Sequence, residues 1–254
     1  MVNRVPPNSH ARQIHDAGDA SAVFSFGNTL ILKVKLTKGD AALREHKTLA
    51  FLSKQKLSFS IPTVLYHMEE PDRIYLFEPQ MPGKSLNEAW WDMSAKEKEH
   101  VSSPVAHICS ELRAFRTNVI TGIDYNWMNS LREKRDDSPE ALQKHCEELG
   151  MDCSTYVLSH NDLGPTNVLL DGDQIAVIDW DLAGYCPVEW VRTKFAVCRA
   201  LDVESVTGDA GVKTDGEYRL LVERKLGDMG FPDVTEAYKR MWKIRSEEWK
   251  KGRL

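Results

Sequence analysis

The chain has 254 residues, 42% hydrophobic and 28% charged, enough apolar material for one large domain or two lobes sharing a core and too much for a disordered chain. Its net charge is −5, and its one basic run is the short Lys250, Lys251 and Arg253, which gives a nucleic-acid backbone nothing to hold. No apolar run reaches the roughly 18 residues of a bilayer crossing, and the opening MVNRVPPNSH has no apolar signal-peptide core, so neither nucleic acid nor membrane is an expected partner.

Residues 22–35, AVFSFGNTLILKVK, are two apolar runs split by Gly27-Asn28 and predict a β-hairpin. Residues 40–55 have helical character, with Asp40 as N-cap and Ala42, Glu45, Leu49 and Leu52 on one face. Ser60-Ile61-Pro62 ends that helix, and strands are expected at 62–68 and 73–78. Pro79 and Pro82-Gly83 then suit a linker between lobes.

The remainder is mostly helical. Ser94-Ala95-Lys96-Glu97 reads as a capping box. Val101, Val105, Ile108, Leu112 and Phe115 continue it as an apolar stripe, in which Pro104 marks a kink or a late start. A helix is expected at 139–149, short strands at 155–159 and 174–179 around turn residues 171–173, and a helix at 188–200. The last 20 residues are expected to form an amphipathic helix with Tyr238, Met241, Arg245 and Trp249 on one side, in line with Val234 just before them.

The informative segment is 156–190, YVLSHNDLGPTNVLLDGDQIAVIDWDLAGYCPVEW. It holds His160, Asp162 and Asn167, then Asp179 at the end of an apolar strand. Phosphoryl transfer asks little covalent chemistry of a protein. It needs a carboxylate to accept the proton of the attacking hydroxyl, and oxygen ligands for the Mg²⁺ that neutralises the phosphates. His160-Asn161-Asp162-Leu163-Gly164-Pro165-Thr166-Asn167 keeps the spacing of the kinase catalytic loop, and Asp179-Trp180-Asp181 stands where the D-F-G metal aspartate would be.

This H-x-D-x-x-x-x-N segment followed by I-D-W resembles the aminoglycoside phosphotransferase and choline kinase superfamily. The upstream pieces ILKVK, REHKTLAFL, IPTVLY and IYLFEPQMPGKSL are similar too, and their order resembles the uncharacterised fungal members in particular. The resemblance spans roughly residues 20–200. It implies an α+β, two-lobed protein-kinase-like fold, with a small antiparallel sheet lobe at 1–79 and a larger, mainly helical lobe at 80–254. It also implies ATP and Mg²⁺ as cofactors and a small-molecule hydroxyl as acceptor. By the same carry-over, Asp162 would be the base, braced by His160, and Asn167 and Asp179 would hold Mg²⁺. Lys33 would contact the phosphates and pair with Glu45. Residues 77–81, among them Glu78, Gln80 and Met81, would bind adenine through backbone groups. No G-x-G-x-x-G is present; Gly18-Asp19-Ala20-Ser21 lies in its place, with Ser21 as a phosphate donor.

Several residues carry open readings. Lys35 lies on the same side of its strand as Lys33, and Lys33 is favoured because it sits nearer the middle of the apolar run. Glu45 on an apolar stripe needs a buried partner, and Lys33 is the candidate; the alternative is a rotated helix with Glu45 in solvent. Asp181 is either a further metal ligand or a turn residue. Trp90, Trp91 and the C-terminal tryptophans either line a substrate pocket or pack in the core, and core is favoured. Glu189, Asp202 and Glu204 are either groups for a cationic acceptor or surface charge. The five cysteines form no CxxC pair, so no disulfide framework or structural zinc is expected. The expected protein is cytoplasmic and a monomer or weak dimer. Its alternative function is nucleotide or small-ligand binding without transfer.

Overall fold

The structure, a computed structural model, describes residues 11–16, 21–36, 45–120, 139–206 and 212–251. Its first strand, β1 (Ala11–Asp16), was not legible in the sequence. Its Ile14 is exposed, so no buried alternation marks it. The predicted hairpin follows as β2 (Ser21–Phe26) and β3 (Leu30–Leu36), and Gly27 at φ 59° turns the chain between them.

Helix α1 (Glu45–Leu52) buries Glu45, Leu49 and Leu52, while Asp40 and Ala42 lie outside the described residues. β4 (Tyr66–Glu69) and β5 (Arg73–Pro79) complete a five-stranded sheet in the order β1-β2-β3-β5-β4. β4 starts later than the strand expected from residue 62, where Pro62 has no N–H for a ladder. In the register Lys33 faces Val23 and Leu76, Lys35 faces Ser21 and Ile74, and Ile31 faces Glu78. Opposed residues share a face, so Ser21, Lys33, Lys35 and Glu78 lie on one side of the sheet.

Beyond β5 come β6 (Lys84–Ser85), the short α2 (Leu86–Ala89) and the long α3 (Ala95–Leu112). Gly83 at φ 105° makes this exit possible. A Cβ there would stand 2.5 Å from the Leu170 carbonyl oxygen, so only glycine lets the backbones approach. Both helices open with complete capping boxes, Ser85 with Glu88 and Ser94 with Glu97. α3 continues through Pro104 and buries Val101, Val105, Ile108 and Leu112. Phe115, past its end, is half-buried.

Next come β7 (Arg116–Thr117), α4 (Pro139–Glu148), β8 (Tyr156–Ser159), β9 (Val168–Asp171), β10 (Gln174–Val177) and β11 (Gly184–Pro187). They form two three-stranded sheets, β10-β9-β6 and β11-β8-β7. α5 (Val188–Val197), the ribbon of β12 (Val203–Val206) and β13 (Val212–Asp215), α6 (Glu217–Asp228) and α7 (Thr235–Lys250) complete the helical lobe. α3, α5 and α6 meet around Tyr218, which packs edge-on to Trp90 at 5.7 Å and against Phe195 at 6.5 Å. Trp90 is therefore core, as its sequence reading held. Among the described residues no helix is long and apolar enough to cross a membrane.

Candidate active site

Strand β8 ends at Ser159 and β9 begins at Val168, and the loop between them carries the H-x-D-x-x-x-x-N residues. His160 is buried at its start. Its Nε2–H donates to the Ile178 carbonyl at 3.0 Å, and its Nδ1 accepts the Asp162 N–H at 3.2 Å. That pattern fits the neutral imidazole. Burial lowers its pKa, against the pull of nearby Asp162. The ring lies 4.6 Å from Trp180, which stacks on Phe59. Asn167 Nδ2 donates to the Asp162 carbonyl at 2.8 Å and to its carboxylate at 3.1 Å, and the Ile178 N–H returns to the Asn167 carbonyl at 3.0 Å.

Asp179 follows β10 at φ 61° and ψ 62°, a region non-glycine residues seldom occupy. Its carboxylate is 44% exposed and 3.9 Å from Lys33 Nζ. Lys33 donates to both Glu45 oxygens, at 2.8 and 3.0 Å, and stands 3.0 Å from Glu78 Oε1. Glu45 Oε1 also accepts the Trp180 N–H at 2.9 Å. One carboxylate thus ties β3, α1 and the D-W-D segment together. Burial alone would lower the Lys33 pKa, but Glu45, Glu78 and Asp179 outweigh it and raise it. Desolvation pushes Glu78 up to about 7, although Lys33 pulls it down.

The Glu78 side chain was not anticipated here. Its sequence role was a backbone contact, yet the alternation Ile74, Leu76, Glu78 along β5 places it on the buried face. Lys35 pairs instead with Asp181, so the D-x-D of 179–181 meets the K-x-K of 33–35 in register. Asp181 thereby has a partner that the sequence reading did not consider. Ser21 begins β2, half-buried, while Gly18, Asp19 and Ala20 lie outside the described residues. The Gln80 N–H is held by the Thr29 carbonyl at 2.9 Å; Gln80 is exposed and Met81 half-buried. Asp202 is not open to a cationic acceptor. It is buried beneath Arg219, at 2.5 Å, and Arg199, at 3.6 Å.

These residues fit a magnesium–nucleotide complex. The Asn167 amide and the Asp179 carboxylate are hard oxygen donors, and Mg²⁺ commonly takes one or two protein oxygens beside phosphates and water. Three carboxylates around Lys33 leave an excess of negative charge that a divalent cation would offset. Among the described residues no group of three or more His, Cys, Asp or Glu could hold a metal ion unaided.

No curated protein sequence matches the chain. Solved structures do. The gentamicin complex of APH(2'')-IIa aligns with a TM-score of 0.58 at 17% identity, over 94% of this chain and 82% of the other. APH(3'')-Id, an aminoglycoside phosphotransferase from Streptomyces rimosus, aligns with 0.58 at 17% identity over 91% of each chain. ADP-bound APH(2'')-Ib aligns with 0.57 at 16% identity, over 94% and 83%. These likenesses establish the two-lobed, protein-kinase-like fold. The sequence model of the phosphotransferase enzyme family matches residues 12–190, a stretch that holds Lys33, Glu45, the whole 160–167 loop and Asp179, and the chain therefore belongs to that family.

Proposed function

We propose that this chain moves the γ-phosphate of ATP, bound with Mg²⁺, to a hydroxyl of a small molecule. One observation carries this reading. Lys33, gripped by Glu45, stands 3.9 Å from Asp179, while in the adjoining loop Asn167 holds the Asp162 carboxylate at 3.1 Å. Residues 1–79 form the nucleotide lobe and 80–254 the catalytic and acceptor lobe. Residues 77–81 receive adenine through backbone groups, and Lys33 and Ser21 contact the phosphates. Asn167 and Asp179 hold the Mg²⁺, which neutralises phosphate charge when bound.

Asp162 accepts the proton of the acceptor hydroxyl as its oxygen bonds to the γ-phosphorus; the bond to the β–γ bridging oxygen breaks, and ADP leaves. Asn167 fixes the Asp162 carboxylate, and His160 fixes the Asp162 amide. Thermal melting with and without MgATP, followed by ATP turnover against a panel of hydroxyl acceptors, tests the reading. A stabilising shift with turnover is expected. Binding with neither hydrolysis nor transfer would overturn it and leave a ligand-binding kinase fold.

A further inference from the structure

Lys194 lies on α5, partly buried, and desolvation lowers its pKa. Among the described residues its ammonium makes no hydrogen bond or ion pair, while its carbonyl accepts the Cys198 N–H at 2.8 Å. It lines a small cavity beneath the 160–167 loop together with Ser159, His160, Asn161 and Leu163. The cavity measures about 10 Å³, roughly the room one water needs. Asn161 Oδ1 is buried and has no hydrogen-bond partner. Lys194, whose ammonium has no acceptor, and Asn161, whose Oδ1 has no donor, therefore line one cavity the size of a water.

Asn161 is the residue between His160 and Asp162. It sits at φ 61°, a region that asparagine enters more readily than most non-glycine residues. Its Nδ2 donates to the Leu182 carbonyl at 3.2 Å and the Gly184 carbonyl at 3.5 Å, and its N–H to Ser159 Oγ at 3.3 Å. Those bonds hold every polar group of the side chain except the oxygen. The charged groups nearest Lys194 include Asp162 itself, which attracts the ammonium.

We propose that Lys194 is a positioning residue for phosphoryl transfer: it satisfies Asn161 Oδ1 through one water, and so holds the Asn161–Asp162 step with the Asp162 carboxylate facing the acceptor. This rests on the phosphotransferase reading of the site. Lys33, Glu45 and Glu78 lie on the other lobe, and Asp179 is not among the residues lining this cavity, so nucleotide binding is not expected to depend on Lys194.

The test is steady-state MgATP hydrolysis, with water as the acceptor. Lys194→Met should lower kcat at least about tenfold, the scale of a displaced catalytic group, while KM for MgATP stays within about threefold. Lys194→Arg keeps a donor and should restore kcat to within about threefold of wild type. Asn161→Ala should lose a factor similar to Lys194→Met, and the double variant should be no worse than either single one. Wild-type kcat in Lys194→Met, no rescue by Lys194→Arg, or multiplying losses in the double variant would overturn the inference. Melting curves identify a misfolded variant. Should Lys194→Met be one, Asn161→Ala decides, and an unchanged kcat there overturns it. A wild type that neither hydrolyses MgATP nor transfers its phosphate to any hydroxyl acceptor overturns the phosphotransferase reading, and this inference with it.

Discussion

Asp162 can take a proton productively only if its carboxylate stays where an acceptor hydroxyl arrives. Asn167 Nδ2 bonds both its carbonyl and its carboxylate, which makes Asp162→Asn an informative change, since it keeps the shape and removes the basicity. We expect kcat to fall at least about a hundredfold with ATP affinity little altered; near-normal turnover would remove Asp162 from the mechanism. Glu78 gives a second test at this scale. Its pKa rises from the ordinary 4.5 to about 7 on folding. Between those values the folded state binds more protons than the unfolded one, so this contribution to stability is fully present below the ordinary value and is lost as pH rises through about 7. Urea unfolding of wild type and Glu78→Gln across that window should show wild type losing up to roughly 3 kcal/mol relative to the variant. A difference that stays constant with pH would mean that Glu78 does not titrate there. The residues of the 160–167 loop were legible in the sequence because their relation is local and fixed by spacing. The Glu78 carboxylate and the Lys35–Asp181 pair were not, because they depend on which strand faces pack together and how the lobes meet.

At the scale of elements, α1 joins the two lobes through one side chain. Glu45 accepts from Lys33 on β3 and from the Trp180 N–H, at the start of a 3₁₀ turn that no side chain of its own N-cap residue caps. Glu45→Gln keeps an oxygen for Trp180 and removes the charge opposite Lys33. A double-mutant cycle of Lys33→Met with Glu45→Gln, read by denaturant unfolding, should give a coupling above about 0.5 kcal/mol. Additive effects would mean that the pair does not act as one. That this helix presents Glu45 inward could be argued from sequence, because an acid on an apolar stripe demands a partner. Elements with strong local chemistry were legible in the same way: the hairpin turning at Gly27 and the α3 start at Ser94. β1 escaped because its side chains are largely exposed. β6 is two residues long and exists only through its pairing with β9. α6 buries Tyr218, Val222 and Leu226 at every fourth position, but charged neighbours and the exposed Leu220 blur that stripe.

Across the whole molecule, the lobes are latched at the cleft itself. Lys33 reaches Asp179, Lys35 pairs with Asp181, Glu45 holds Trp180, and the Ser60 backbone bridges to β10 by bonds from its N–H to the Ile175 carbonyl and from the Val177 N–H to its own carbonyl. Protein kinases commonly assemble such contacts only when a segment between D-F-G and A-P-E is phosphorylated and ordered. Here the chain passes from Asp179 through a 3₁₀ turn (Trp180–Leu182) and β11 directly into α5. Residues 180–187 contain no Ser or Thr. Tyr185, their one tyrosine, is half-buried in β11 and paired with Leu158 of β8. A phosphate there would have to leave the sheet, and no extended loop remains to dock a peptide. The Lys33–Glu45 pair, which activation must build in a regulated kinase, is already formed at 2.8 Å. Protein shown by intact mass to be unphosphorylated is therefore expected to turn over MgATP at its full rate, and Tyr185→Phe should change kcat by less than about twofold. Turnover that appears only after modification of Tyr185, or efficient phosphorylation of peptides, would show that the cleft is switched from outside and that the acceptor is a protein.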